Sequence, residues 1–265
     1  MSKLVKQEAQ NQALALYDYG SDAGAGYEQQ TKADTTIPFI ALLQAMSPVV
    51  QENPEARAGM YYNTVSGQLW SAEKPLLFVP ATTRHLFSEW SPRGEGGGFH
   101  GHQPPSSTLV AEAVASAKQF GKNLTKSGTE LVETFYVYGI CCDDDGAGGS
   151  FAAIAFSSTK IKAYKSWMTR LRQVTVDVAG AKVHPPMFAH LCKLTSVAQK
   201  NDKGTFFVPV VSAANPSGLR DSLLTPSDVR YQMAKACRDL VDSGDAKVDP
   251  SQQYAQDVRD DEVPF

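Results

Sequence analysis

A mainly β fold is predicted by three observations. Two pairs of alternating apolar runs close on turn-forming residues: ETFYVYGICC and SFAAIAFSS across DDDGAGG, and MFAHLCKLTSVAQ and TFFVPVVSA across KNDKG. One long strand pattern, KPLLFVPATTRHLFSEW, precedes both pairs. A basic stretch of helical period, KIKAYKSWMTRLRQV, lies between them. Strand, hairpin, helix, hairpin is the order of a five-stranded Greek-key barrel, the OB-fold, in which a helix bridges the third and fourth strands. An immunoglobulin-like sandwich offers that helix no place.

Each element follows from local chemistry. Residues 1–34 are expected to be a flexible N-terminal segment, because a short helical stretch near Gln7 to Tyr17 is broken by the glycines from Gly20 to Gly26. The folded domain is expected over 35–241. It opens with IPFIALLQAMSPVV, where Phe39, Leu42, Leu43 and Met46 fall at helical spacing between Pro38 and Pro48, which predicts a short amphipathic helix. AGMYYNTVSGQLW reads as a hairpin about Ser66-Gly67. Lys74 to Trp90 is strand one, and Pro80, which has no N–H to donate, predicts a bulge or an edge there. Residues 91–129 form an insertion between strands one and two, with the glycine-rich loop SPRGEGGGFHGHQPPSS and a short helix, AEAVASAKQFG. Glu133 to Ser158 supplies strands two and three, and Met187 to Ser212 strands four and five. The central helix starts at Ser158-Thr159 as N-cap and turns Ile161, Tyr164, Trp167 or Met168, and Leu171 inward. A C-terminal helix is expected from Pro226 to about Val241, capped by Thr225, and 242–265 has the composition of a disordered acidic tail.

Composition narrows the function classes. A length of 265 residues with 42% hydrophobic content suits a globular protein with a real core. No run approaches the roughly 18 apolar residues of a membrane span. The polar-interrupted N-terminus is not a signal peptide, so a cytoplasmic protein without a membrane partner is expected. Cys141, Cys142, Cys192 and Cys237 show no C-x-x-C spacing, which suits buried free thiols rather than a zinc site or a disulfide framework. The formal charge of -3 conceals an asymmetry: residues 160–203 carry nine Lys/Arg against two Asp, and 239–265 carry eight Asp/Glu against two cations. A basic body with an acidic tail fits a polyanionic partner.

Single strands of nucleic acid are bound by aromatic rings that stack bases and cations that follow the phosphates. The residues predicted to do so are Arg84, Trp90, Arg93 and Phe99 on strand one and its loop, Tyr136 and Tyr138 on strand two, and Lys160, Lys162, Lys165, Arg170 and Arg172 on the central helix. Alternation puts Arg84 and Trp90 on one face and His85 and Phe87 on the other, and the first pair is favoured for the groove. Tyr136 and Tyr138 share a face expected to be exposed, whereas Trp167 is expected to pack. No cofactor and no metal is expected. The glycine-rich loop lacks the GK[ST] ending of a phosphate-binding loop, and His100 and His102 have no cysteine partner. Asp143 to Asp145 could serve a magnesium nuclease, but acids before Gly146 are also ordinary turn residues. No catalytic nucleophile motif is present, so a non-enzyme is expected.

DDEVPF, residues 260–265, resembles the acidic tip of bacterial single-stranded DNA-binding proteins. IPFIALLQAMSPVV, GMYYNT, FVPATTRHLFSEWSPRGEGGG and FSSTKIKAYKSW, in that order, look like phage-encoded single-stranded DNA-binding proteins over about residues 35 to 210. The resemblance implies an OB-fold that coats and protects single-stranded DNA during phage replication, recombination or repair. It also implies a tip, Asp260, Asp261, Glu262, Val263, Pro264 and Phe265, that recruits replication or recombination proteins. The insertion at 91–129 departs from the bacterial pattern and leaves a homo-oligomer open. The alternatives are a magnesium-dependent nuclease or recombinase using Asp143, Asp144 and Asp145, and a scaffold or virion protein that does not touch DNA.

Overall fold

The computed structural model describes residues 22, 25–28, 36–91, 98–144, 146–202, 204–244 and 248. The chain divides into two units, residues 1–35 and 36–265. In the first, Ala25 N–H donates to the Asp22 carbonyl at 3.0 Å, closing a turn. The helical stretch expected at 7–17 lies outside the described residues.

The second unit is mainly β. Its strands are β1 (Ile40–Leu42), β2 (Tyr61–Asn63), β3 (Leu69–Trp70), β4 (Leu76–Trp90), β5 (Phe99–Gln103), β6 (Glu130–Cys142), β7 (Gly149–Ser157), β8 (Val176–Val178), β9 (Ala181–Val183), β10 (Cys192–Asn201) and β11 (Gly204–Ala213). Its helices are α1 (Pro48–Glu52), α2 (Thr108–Phe120), α3 (Ile161–Arg172) and α4 (Val229–Asp242). The principal sheet runs β11-β10-β4-β6-β7, with β5 added beside β4, and its ladders are antiparallel. Both hairpins expected in the second half form in this sheet, as β6–β7 and β10–β11. The first-half hairpin forms a small separate sheet, β1-β2-β3.

β4 belongs to both halves of the sheet. Its start, residues 76–78, pairs with β10, and residues 78–90 pair with β6. The ladder slips between Pro80 and Thr82. Proline cannot donate there, so Ala81 is left over as a bulge. Opposite Pro80 sits Gly139, where a side chain would bring its Cβ within 2.2 Å of the Val79 carbonyl oxygen. The bulge reverses the alternation. Leu76 and Phe78 share the core on the α3 side, whereas beyond the bulge the odd residues Thr83 and His85 lie opposite Val137 and Phe135 on that same side.

Two cores sandwich the sheet. On one side Trp167 and Leu171 of α3 and Ile40, Leu42, Tyr61 and Trp70 of the small sheet pack against Phe78, Val137 and Phe156. On the other, Ala234, Cys237 and Val241 of α4 pack with Val79, Tyr136, Tyr138 and Ile140. Toward the far end of β4, Phe87 and Leu131 bury Val110 and Ala113 of α2. The inward stripe expected on the central helix is the one observed. The expected N-caps differ. α4 is capped by Asp228, whose carboxylate accepts from Arg230 N–H at 2.9 Å, not by Thr225. α3 continues from a short turn at Ser158–Lys160 with no side-chain cap.

The stretch expected to be a helix at 37–50 is instead extended through β1, and only α1 at its end is helical. Its surroundings explain the change. Among the described residues the sheet does not close into a barrel, because β7 and β11 at its two ends form no ladder with each other. The segment 38–44 lies in that seam. Ala153 N–H of β7 donates to the Pro38 carbonyl at 2.9 Å, and the buried Gln44 amide bonds both backbone groups of Phe207 in β11, accepting at 2.8 Å and donating at 3.0 Å. Two open strand edges therefore recruit an extended segment, and those tertiary hydrogen bonds override helical spacing.

Candidate functional site

α3 carries the cations. Lys162, Lys165, Arg170 and Arg172 are exposed and Lys160 is half-buried, while Trp167 and Leu171 hold the helix to the sheet. Arg170 also donates to the Val211 carbonyl, tying its guanidinium to β11. Lys162, Lys165, Arg170 and Arg172 are thus gathered on one helix, and Lys160 lies in the turn before it.

Aromatic residues continue this surface on the adjoining strands. The His85 ring stacks on Phe135 at 4.1 Å with planes 10° apart, and Phe135 stacks on Tyr164 of α3 at 4.5 Å and 23°. Lys165 Nζ lies 5.9 Å from the centre of the Phe135 ring, a cation held against an aromatic face. Phe87 flanks His85 at 5.7 Å. His85 Nε2 lies 2.9 Å from Glu133 Oε1, and because a carboxylate only accepts, that nitrogen carries the hydrogen. Sequence reasoning misses Phe135 and puts His85 on the disfavoured face. The parity of ETFYVYG sets Phe135 on the face opposite to Tyr136 and Tyr138, and that is the signal by which it could be found.

The other strand residues predicted to contact nucleic acid lie elsewhere. Tyr136 is fully buried and Tyr138 nearly so, under α4 and Phe39, which corrects the expectation of an exposed face. The Tyr136 hydroxyl is 2.9 Å from Ser88 Oγ, and burial pushes the Tyr138 phenol up to about 12. Trp90 is also buried, packed against the half-buried Phe99 at 5.1 Å. Arg84 is turned to the α4 side, where it bonds Asp242 Oδ1 at 2.7 Å and the Val241 carbonyl at 3.2 Å, capping the end of α4. The face that Arg84 and Trp90 were expected to open is therefore covered, at Arg84 by a helix some 150 residues later in the chain and at Trp90 by Phe99 of β5. Arg93 and the tip residues Asp260, Asp261, Glu262, Val263, Pro264 and Phe265 lie outside the described residues.

The remaining polar clusters have local roles. Asp143 N–H donates to the Gly148 carbonyl at 3.2 Å within the β6–β7 turn, and Asp144 is paired with Lys74; Asp145 lies outside the described residues. His100 bonds Ser91 Oγ at 2.6 Å and His102 bonds Ser88 Oγ at 3.2 Å. Among the described residues no three His, Cys, Asp or Glu side chains converge as a metal site, and no helix is long and apolar enough to cross a membrane. All four cysteines are free and buried, and burial pushes the thiols of Cys142, Cys192 and Cys237 up to about 12. Such thiols are held in the unreactive protonated form.

No curated protein and no solved structure matches the chain. A family model described as Pam3 phage gp34-like protein matches residues 6–247. The chain therefore belongs to the Pam3 phage gp34-like protein family, a family of phage proteins.

Proposed function

We propose that this protein is a non-enzymatic single-stranded DNA-binding protein of OB type. It coats single strands without strong sequence preference during phage replication, recombination or repair, in the cytoplasm of the host. The strand order carries this reading. In β7-β6-β4-β10-β11 the first long strand, β4, is shared between two hairpins, and the cationic α3 lies in the connection from β7 to β10, the third and fourth of these strands in chain order, as in the oligonucleotide-binding Greek-key barrel. The seam filled by residues 38–44 stands where that barrel would close. Exposed Lys162, Lys165 and Arg172 on α3 are suited to follow phosphates, and the neighbouring rings to face bases. The acidic stretch Asp260, Asp261, Glu262, Val263, Pro264 and Phe265 is read as a docking peptide for replication or recombination proteins, its acids suited to a basic rim and its ring to an apolar pocket.

The test is fluorescence anisotropy of an end-labelled dT oligomer titrated with protein at several salt concentrations. Binding should be strong at low salt and weaken steeply as counterions compete. Absence of binding at low salt would end the reading. Intrinsic emission is a poor reporter here, because Trp70, Trp90 and Trp167 are all buried.

A further inference from the structure

We infer that His85 is the outermost ring of a base-stacking platform, held in orientation by Glu133, and that single-stranded DNA places a base against it beside Lys165. The inference deepens the single-stranded DNA reading and rests on it. Rings build outward from the core without a break: Phe156 and Trp167 lie 5.9 Å apart, Phe156 meets Tyr164 at 5.7 Å, and Tyr164 stacks on Phe135, which stacks on His85. Phe135 is sandwiched, so neither of its faces is open to a ligand. His85 has one face against Phe135, yet its side chain is 36% exposed, so the exposure falls on its opposite face and edge.

The Glu133 hydrogen bond at 2.9 Å holds the imidazole parallel to the ring beneath it. A preoriented ring loses little conformational freedom when a base arrives. Charge complements the geometry. Lys165 already lies over the stack, and Lys162 is exposed one turn earlier on the same helix, so cations flank the platform where a backbone would run. Glu133 places a negative charge in the same place, which fits a positioning residue rather than a phosphate contact.

The experiment compares a dT oligomer with an abasic oligomer of equal length and charge, by anisotropy at one salt concentration. The proteins are the wild type and the His85→Ala, His85→Trp and Glu133→Gln variants, each checked for an unchanged thermal midpoint. Wild type should prefer dT over the abasic strand by at least about fivefold, the lower end of one stacked base. His85→Ala should lose that preference while leaving the abasic affinity unchanged, and His85→Trp should restore it. Glu133→Gln should keep the preference, because an amide oxygen still accepts the imidazole hydrogen. The inference is overturned if His85→Ala keeps the dT preference, or weakens both oligomers equally. If wild type binds neither oligomer, the DNA-binding reading falls with it, and that outcome is distinct because it appears before any variant is compared.

Discussion

Gln44 does with one side chain what a neighbouring strand would do with a backbone. Its amide satisfies both the N–H and the carbonyl of Phe207 while being only 6% exposed, so truncation strands two backbone groups. Gln44→Ala should lower stability by about 2 kcal/mol, at the scale of buried groups left unsatisfied, measured as the urea midpoint at constant m-value. Gln44→Glu should cost at least as much, since an ionised carboxylate cannot donate to the Phe207 carbonyl. His190 supplies a pH dependence. It is 1% exposed, its Nδ1 has no hydrogen-bond partner among the described residues, and burial pushes its imidazole down to about 4. A histidine whose folded value lies below its unfolded value of about 6.5 takes up a proton on unfolding between the two. Its stability contribution is full above about pH 6.5 and declines as pH falls toward 4, by about 3 kcal/mol in all. His102, lowered by burial, adds in the same direction. Asp228, held low chiefly by the Arg230 guanidinium, acts only below about pH 4. Chemical denaturation at pH 7 and pH 4.5 should therefore show a marked loss, and His190→Leu should flatten the difference.

At the scale of the element, α3 is the part of the candidate site that could be read in the sequence. Tyr164, Trp167 and Leu171 announce its inner stripe, and the same period places Lys162, Lys165 and Arg172 outside. Replacing Lys162 and Lys165 together with alanine should weaken dT binding and reduce the slope of log affinity against log salt by about 1.4, roughly 0.7 for each single-strand phosphate that is no longer neutralised. An unchanged slope would remove α3 from the DNA path. The hairpins were legible for a similar reason, since alternation and turn residues are local signals. β1 was not, because Phe39, Leu42, Leu43 and Met46 satisfy a helical period as well as a strand in a seam, and only edges more than 100 residues away decide between them. The open face of β4 was illegible too. Pro80 announced a bulge, but which side of Arg84 and His85 stays uncovered depends on the docking of α4, and nothing within β4 encodes that.

At the scale of the molecule, the division of labour is between a cationic side built on α3, the side proposed to face DNA, and the opposite side closed by α4. Val248, the last described residue, bridges to Ile37, three residues before β1. Deleting residues 249–265 should leave the thermal midpoint unchanged within about 2 °C, because the bridge and the α4 core are retained. The same deletion should abolish capture of a purified replication or recombination protein in a binding assay if the tip is the docking peptide. The seam also has a bearing on how the chain folds. Gln44 lies 163 residues before Phe207, so its clamp cannot form until β11 has been synthesised and paired with β10. During translation the N-terminal arm can dock Phe39 against β6 and β7, but the β11 side of the seam must wait for the last hairpin to emerge. Contacts of such sequence separation are slow to form, because a long loop must close before they contribute anything. Closing the β11 side of the seam is thus expected to be a late event on the ribosome, with Gln44 the residue that waits longest for its partner.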